Sequence, residues 1–203
     1  NNGQGFFTDV TATAVPTNAE FTTCQVVADF DGDGDVDWFT VDGGPCHFYE
    51  NNGVGVFTDA SAVRLSGLPT LGGDRFDVTP HAVDVDRDGD LDVIVPDGRP
   101  YLILNQGGVL VPAPVQPPSS GYSYAFRLED FDGDGDPDLM LAGSSRLLQN
   151  QGNGTFLDIT AIAFPTPPYG GLTTCDVDGD GDIDYVTSSG LWLNNGSAVF
   201  TAV

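Results

Sequence analysis

Three features of the sequence predict an all-β fold. A nine-residue element, Asp-x-Asp-x-Asp-Gly-Asp-x-Asp, begins at Asp29, Asp84, Asp130 and Asp176, at intervals of 55, 46 and 46 residues. A second element, Asn-x-Gly leading into an apolar stretch, begins at Asn1, Asn51, Asn105, Asn150 and Asn194. The segments between these marks are short, apolar or mixed, and none sustains a helical period.

Each acidic element is entered by one such segment, at Gln25 to Ala28, His81 to Val83, Tyr124 to Leu128 and Leu172 to Cys175. Each is left by another, at Trp38 to Val41, Val93 to Val95, Leu139 to Ala142 and Tyr185 to Thr187. A third strand runs into the Asn-x-Gly turn, as at Phe48-Tyr49 and Tyr101 to Leu104, and a fourth leaves it, as at Val56 to Thr58 and Thr155 to Leu157. Asn and Gly supply the positive φ that a tight hairpin needs. Four short strands per unit of about 45 to 50 residues describe a blade, so the expected architecture is a β-propeller of about four blades. The repeats fall at about 14–62, 63–115, 116–161 and 162–203, in one domain, with residues 1–13 as an extra terminal strand. Gly/Pro-rich stretches at Val63 to Pro80, Gln116 to Ser123 and Ile162 to Gly171 are expected as surface loops.

The acidic elements have the composition of cation-binding loops. Of 30 acidic residues 27 are Asp, and 20 of these lie in the four elements. In the first, Asp29, Asp31 and Asp33 occupy positions 1, 3 and 5, Gly34 permits the sharp turn at position 6, Asp35 offers its carbonyl at position 7, and Asp37 holds position 9. The matching candidates are Asp84, Asp86, Asp88, Asp90 and Asp92; Asp130, Asp132, Asp134, Asp136 and Asp138; and Asp176, Asp178, Asp180, Asp182 and Asp184. Alternate residues point inward, so one loop can surround a Ca²⁺ with oxygens, and about four Ca²⁺ are expected. The bidentate Glu that an EF-hand carries at position 12 is replaced by Thr40, Val95, Leu141 and Thr187. Without a cation, like charges about 5 Å apart repel by roughly 0.8 kcal/mol per pair even in bulk water.

These loops, the apolar strand after each, and hairpins such as NNGVGVFTDASA resemble the FG-GAP/VCBS repeats of integrin-type β-propellers. The resemblance covers nearly the whole chain. It implies a Ca²⁺ loop between the first two strands of each blade, held by the Asp residues named above. That family usually builds seven blades, so four motifs imply either a small closed ring or a partial one. Arg87 stands where the other loops carry Gly, which argues against full occupancy of the second loop.

Charge excludes other partners. The net charge is -24, with six Arg and no Lys, a field that repels nucleic acid and anionic lipid. No apolar run approaches the roughly 20 residues that cross a bilayer. The chain opens at Asn1 without a leader-like segment, which reads as a mature or trimmed product, and a secreted or cell-surface location is expected. Cys24, Cys46 and Cys175 form no CxxC pair; a Cys24–Cys46 disulfide within one repeat and buried thiols are the alternatives.

Little remains for catalysis. His47 and His81 lie in no triad or metal motif, and Asp9, Asp59 and Asp158 recur after the fourth strand, as turn-capping residues would. The chain is therefore expected not to be an enzyme. Tyr122, Tyr124 and Tyr169 are the candidates for stacking on a sugar, while Trp38 and Trp192 are expected to fill gaps between blades. Asn153 and Asn195 head glycosylation sequons on hairpin turns. The function expected is a structural or adhesive extracellular module; the alternatives are a glycan-binding lectin and an accessory domain of a polysaccharide-degrading enzyme. The partners to match are an extracellular glycan or protein, or further copies of the chain. Five hairpin elements against four acidic loops leave a surplus fourth strand, at Phe6 to Ala12 or Ala198 to Val203, and its donation to a neighbour would build a homopolymer or filament.

Overall fold

The computed structural model describes residues 3–17, 24–41, 43–72, 79–118, 126–142, 145–166, 168, 171, 173–188 and 190–203. They form four antiparallel four-stranded sheets, each a simple meander. Sheet 1 comprises β1 (Cys24–Ala28), β2 (Asp37–Val41), β3 (His47–Asn51) and β4 (Phe57–Asp59). Sheet 2 comprises β5 (His81–Val83), β6 (Asp92–Pro96), β7 (Pro100–Asn105) and β8 (Leu110–Pro112). Sheet 3 comprises β9 (Phe126–Glu129), β10 (Asp138–Leu141), β11 (Arg146–Asn150) and β12 (Phe156–Asp158). Sheet 4 comprises β13 (Thr173–Cys175), β14 (Asp184–Thr187), β15 (Gly190–Asn194) and β16 (Phe200–Ala202). This is a β-propeller-like arrangement, and in every sheet the acidic loop joins the first two strands.

The second strands explain the pattern of the sequence. β6 and β10 are buried at every position, because a neighbouring sheet covers each face. They therefore read as unbroken apolar runs, Val93-Ile94-Val95 and Leu139-Met140-Leu141, rather than as alternation. The apolar core is divided among the seams between sheets. Phe30, Phe39 and Phe48 of sheet 1 cluster with Val93, Ile103 and Leu110 of sheet 2. Val85, Ile94 and Leu102 cluster with Phe126, Leu139 and Phe156. Phe131, Met140 and Leu147 cluster with Tyr185, Ala198 and Phe200. Among the described residues these three seams join the four sheets, and no buried cluster links sheet 4 to sheet 1.

Single helical turns follow the fourth strands of sheets 1 and 3, α2 (Ser61–Arg64) and α3 (Thr160–Ala163), and a like turn, α1 (Thr11–Ala14), precedes β1. The recurrent Asp before each turn does what its recurrence suggests. Asp9, Asp59 and Asp158 each accept the backbone N–H two residues on, at 3.0 Å, from Thr11, Ser61 and Thr160.

One expectation is corrected. The N-terminal segment forms no strand over residues 3–10, and Phe6 and Phe7 are 70% and 81% exposed. A fourth strand needs a third beside it, and the available edge, β15, is already paired with β16. Of the two alternatives for the cysteines the structure has the thiols: Cys24 Sγ donates to the Val41 carbonyl at 3.9 Å, Cys46 is buried in the first seam, and Cys175 is exposed. Tyr122, Tyr124 and Tyr169 lie outside the described residues.

Candidate metal centres and the relay that joins them

The four acidic loops share one internal scaffold. The carboxylate at position 1 folds the loop around itself: Asp29 accepts the N–H groups of Gly32 and Gly34 at 2.9 and 3.0 Å, and Asp130 and Asp176 repeat both bonds. Gly32, Gly133 and Gly179 sit at positive φ, of 76°, 77° and 82°. Arg87 adopts the same left-handed region, with φ 61°, which a side chain tolerates only at a cost. Its guanidinium does not turn into its own loop. It leaves across the seam, donates to the Asp134 carbonyl at 2.7 Å and pairs with Asp136 of the third loop. Arg87 therefore leaves the carboxylates of the second loop in place.

Four groups of carboxylate oxygens converge to within 4.8 Å: Asp29, Asp31 and Asp33; Asp84, Asp86 and Asp92; Asp130, Asp132 and Asp138; and Asp176, Asp178 and Asp184. Two oxygens on a common Ca²⁺ lie at most about 5 Å apart, twice the metal–oxygen distance, so the spacing fits. The donor chemistry fits too. Asp84 Oδ1 and Asp86 Oδ1 are buried and accept no hydrogen bond from the protein, a condition costly unless something else meets them.

The other positions also brace the loop. Asp33, Asp88, Asp134 and Asp180, at position 5, each accept the N–H of position 7, and of these Asp33 also belongs to an oxygen group. At position 7, Asp35, Asp136 and Asp182 lie over Gly53, Gly152 and Gly196 of their own sheet's hairpin, and Asp90 accepts the Gly107 N–H at 2.9 Å. A Cβ on Gly152 or Gly196 would lie 2.8 or 2.7 Å from that carboxylate, so the hairpin Gly serves loop contact as well as turn geometry. Two ligand candidates also meet other groups. Arg64 pairs with Asp31 at 2.6 Å and Glu50 at 3.0 Å, and Gln149 donates to Asp132.

Position 9 has a second role that sequence reasoning missed. Asp37, Asp92, Asp138 and Asp184 are fully buried. One oxygen of each accepts the N–H of loop position 2, from Phe30, Val85, Phe131 and Val177. The other accepts the N–H of the hairpin Asn of the same sheet, from Asn51, Asn105, Asn150 and Asn194. In three sheets the Asn amide then crosses the seam. Asn105 Nδ2 donates to the Phe30 carbonyl at 2.7 Å, Asn150 to Val85 at 3.0 Å and Asn194 to Phe131 at 2.8 Å. One hydrogen-bond relay thus threads the first three loops each to the next sheet. The signal was in the sequence: Asn begins every hairpin element, although Asp or Gly would also make the turn.

Removing the Asn150 amide takes one of two donors from the buried Val85 carbonyl, which keeps the Gly154 N–H, and the side-chain donor from the half-buried Pro137 carbonyl. Asn150→Ala is expected to cost about 1–2 kcal/mol in urea unfolding, and Asn51→Ala, whose Nδ2 donates only to Val36 O and whose Oδ1 accepts the exposed Gly55 N–H, about 1 kcal/mol or less.

Burial dominates the electrostatics. It pushes the Asp92 and Asp138 carboxyls up to about 7, against two backbone N–H bonds each, and it raises Asp37 as well. In the cation-free protein Asp92 and Asp138 hold protons that the unfolded chain has released. Their contribution is therefore most favourable below the unfolded value of about 3.9 and is lost as pH rises through about 7. A bound cation reverses this by compensating the carboxylates. The melting-temperature gap between calcium and EDTA samples is expected to be wider at pH 8 than at pH 5.

The histidines are engaged with rings. His47 stacks on Tyr49 at 6.0 Å and lies 3.9 Å from Asp59, while His81 meets Phe126 at 4.8 Å, and burial, then Arg127, lowers its pKa. Trp192 lies 5.9 Å from Tyr185 and also lines an open cleft of about 360 Å³ with Pro165, Thr166 and Thr201. Asn153 and Asn195 are exposed on their hairpins.

The profile of the FG-GAP-like repeat matches residues 29–95 and 130–187. No curated protein sequence matches the chain. Among solved structures the fold is similar to that of an Agrocybe aegerita lectin that specifically recognises non-reducing terminal N-acetylglucosamine, with TM-score 0.61 and 21% identity over 87% of this chain. It is also similar to the V. cholerae biofilm matrix protein Bap1, with TM-score 0.53 and 19% identity over 89% of this chain. The chain spans 50% of the lectin and 30% of the matrix protein.

Proposed function

The chain belongs to the FG-GAP-like repeat family, and on that footing we propose that it is an extracellular, calcium-stabilised, non-enzymatic module of β-propeller blades with a structural or adhesive role. The convergence of carboxylate oxygens in all four loops carries this reading. Each loop would hold one Ca²⁺ through its carboxylates at positions 1 and 3, joined by position 9 in loops two to four and by Asp33 in loop one. The ion supplies the positive charge that the loop lacks; the protein residues fix the oxygens through the N–H bonds of the loop backbone. The likeness to a biofilm matrix protein supports an extracellular setting, and no described helix is long and apolar enough to cross a membrane. The assignment as a non-enzyme is supported by the ring contacts of both histidines and the concentration of acids in the loops.

A lectin is the second reading, favoured by the cleft beside Trp192 and by the likeness to a glycan-recognising protein. A glycan array probed in millimolar calcium separates the two. The structural reading expects no glycan above background. Binding to glycans ending in N-acetylglucosamine, lost in Trp192→Ala, would replace it with the lectin reading.

A further inference from the structure

The relay has two open ends, and they match. Val177, at position 2 of the fourth loop, is 45% exposed, whereas its counterparts Phe30, Val85 and Phe131 are 2%, 0% and 1% exposed. Its N–H is engaged by Asp184 like the others, but its carbonyl accepts no hydrogen bond from the described residues, whereas the other three carbonyls each take an Asn amide from the next sheet. At the other end, Asn51 Nδ2 donates only to the Val36 carbonyl of its own loop. The small residue that presses on the preceding loop tells the same story. Gly108, Gly154 and Ala198 are buried, against Asp31, against Asp86 and on the Phe131 carbonyl. Gly55, their counterpart, is exposed, and a Cβ there would meet nothing within 4 Å.

We propose that these two faces are the halves of a fourth seam made between copies of this chain, head to tail, with the Asn51–Phe57 hairpin of one copy seated on the Val177 loop of another. The occupant is specified by the chain itself. The same hairpin-on-loop joint is built three times within the molecule, with an Asn amide to a position 2 carbonyl at 2.7–3.0 Å each time. A second copy offers the missing amide and the missing carbonyl on faces of the required shape. The contact is heterologous, so it closes into a ring or extends into a filament according to its rotation. It deepens the structural role proposed above, but does not depend on which cation fills the loops. It also differs from donation of a terminal strand, since residues 3–10 take no part.

Two substitutions block one half each without touching the fold. Val177→Glu places a carboxylate where the seam would bury it. Gly55→Asn adds a side chain on the hairpin face, at a left-handed position that Asn tolerates. Light scattering in millimolar calcium at high protein concentration is expected to give a mass of at least two copies for the natural sequence. Each variant alone is expected to run as a folded 21.3 kDa monomer, with a melting temperature close to that of the natural chain at low concentration. An equimolar mixture is expected to form pairs and nothing larger, because one good face of each kind survives. Deleting residues 1–12 is expected to leave assembly intact. A monomeric natural chain, variants that still assemble, a mixture that stays monomeric, or assembly lost with residues 1–12 would each overturn the proposal. The first would leave the faces to further blades of a longer polypeptide, and the last would point to strand donation.

Discussion

Chelating calcium with excess EDTA at pH 7.5 is expected to lower the unfolding free energy of the chain by roughly 2–6 kcal/mol relative to millimolar calcium. The estimate rests on about four sites, each with a dissociation constant of roughly 10⁻⁴ to 10⁻³ M, as extracellular calcium modules have. By linkage each then contributes about 0.4–1.4 kcal/mol. For a chain of this length the melting temperature should fall by several degrees to about 20 °C. The loss should be spread over the whole molecule rather than confined to the loops. Each loop is tied through its position 9 carboxylate to the hairpin of its own sheet, and three loops also to the next sheet. A scan in EDTA that overlays the scan in calcium would reject this expectation.

Asp138→Ala is expected to be the most damaging single substitution among the loop carboxylates, costing about 3–5 kcal/mol in calcium. The side chain is fully buried and takes the N–H groups of Phe131 at 3.2 Å and Asn150 at 2.8 Å. Truncation leaves both donors unpaired, at about 1–3 kcal/mol each, and cuts the tie between the third loop and the hairpin of its own sheet. It also removes one member of the third oxygen cluster. Asp180→Ala is the comparison. That carboxylate is exposed and accepts one N–H, from Asp182. Its loss should cost about 1 kcal/mol or less. Urea unfolding of the two variants in calcium checks the difference; equal costs would show that position 9 is not the brace described here.

Much of the fold was legible because both repeat elements carry their own mechanism. Acidic loops and Asn-Gly turns mark where strands start and stop, and the apolar runs at Val93–Val95 and Leu139–Leu141 announce strands covered on both faces. What escaped was long range. Nothing local reveals that Asn150 reaches Val85, 65 positions earlier, because the same Asn is fully explained by its turn. Nor does spacing tell that the Asp136 carboxylate lies over Gly152 while Asp138 joins the oxygen cluster, since both have the inward parity of the loop. The terminal strand was misread for a related reason. Residues 1–12 carry the full pattern of a fourth strand and its capping Asp9, and that pattern is silent about whether a third strand stands beside it. Nor does the sequence show where the Arg87 guanidinium goes, because the third loop, which it meets, is 47 residues away.

The claim on which the rest depends is that the four acidic loops are calcium sites. Isothermal titration of calcium into the chelated, desalted chain tests it most directly, with metal analysis of the saturated protein as the count. The account predicts about four Ca²⁺ per chain, with Mg²⁺ at equal concentration a poor competitor because it demands tighter octahedral geometry. A saturated protein that retains no calcium, or a titration without heat at millimolar concentration, would contradict it.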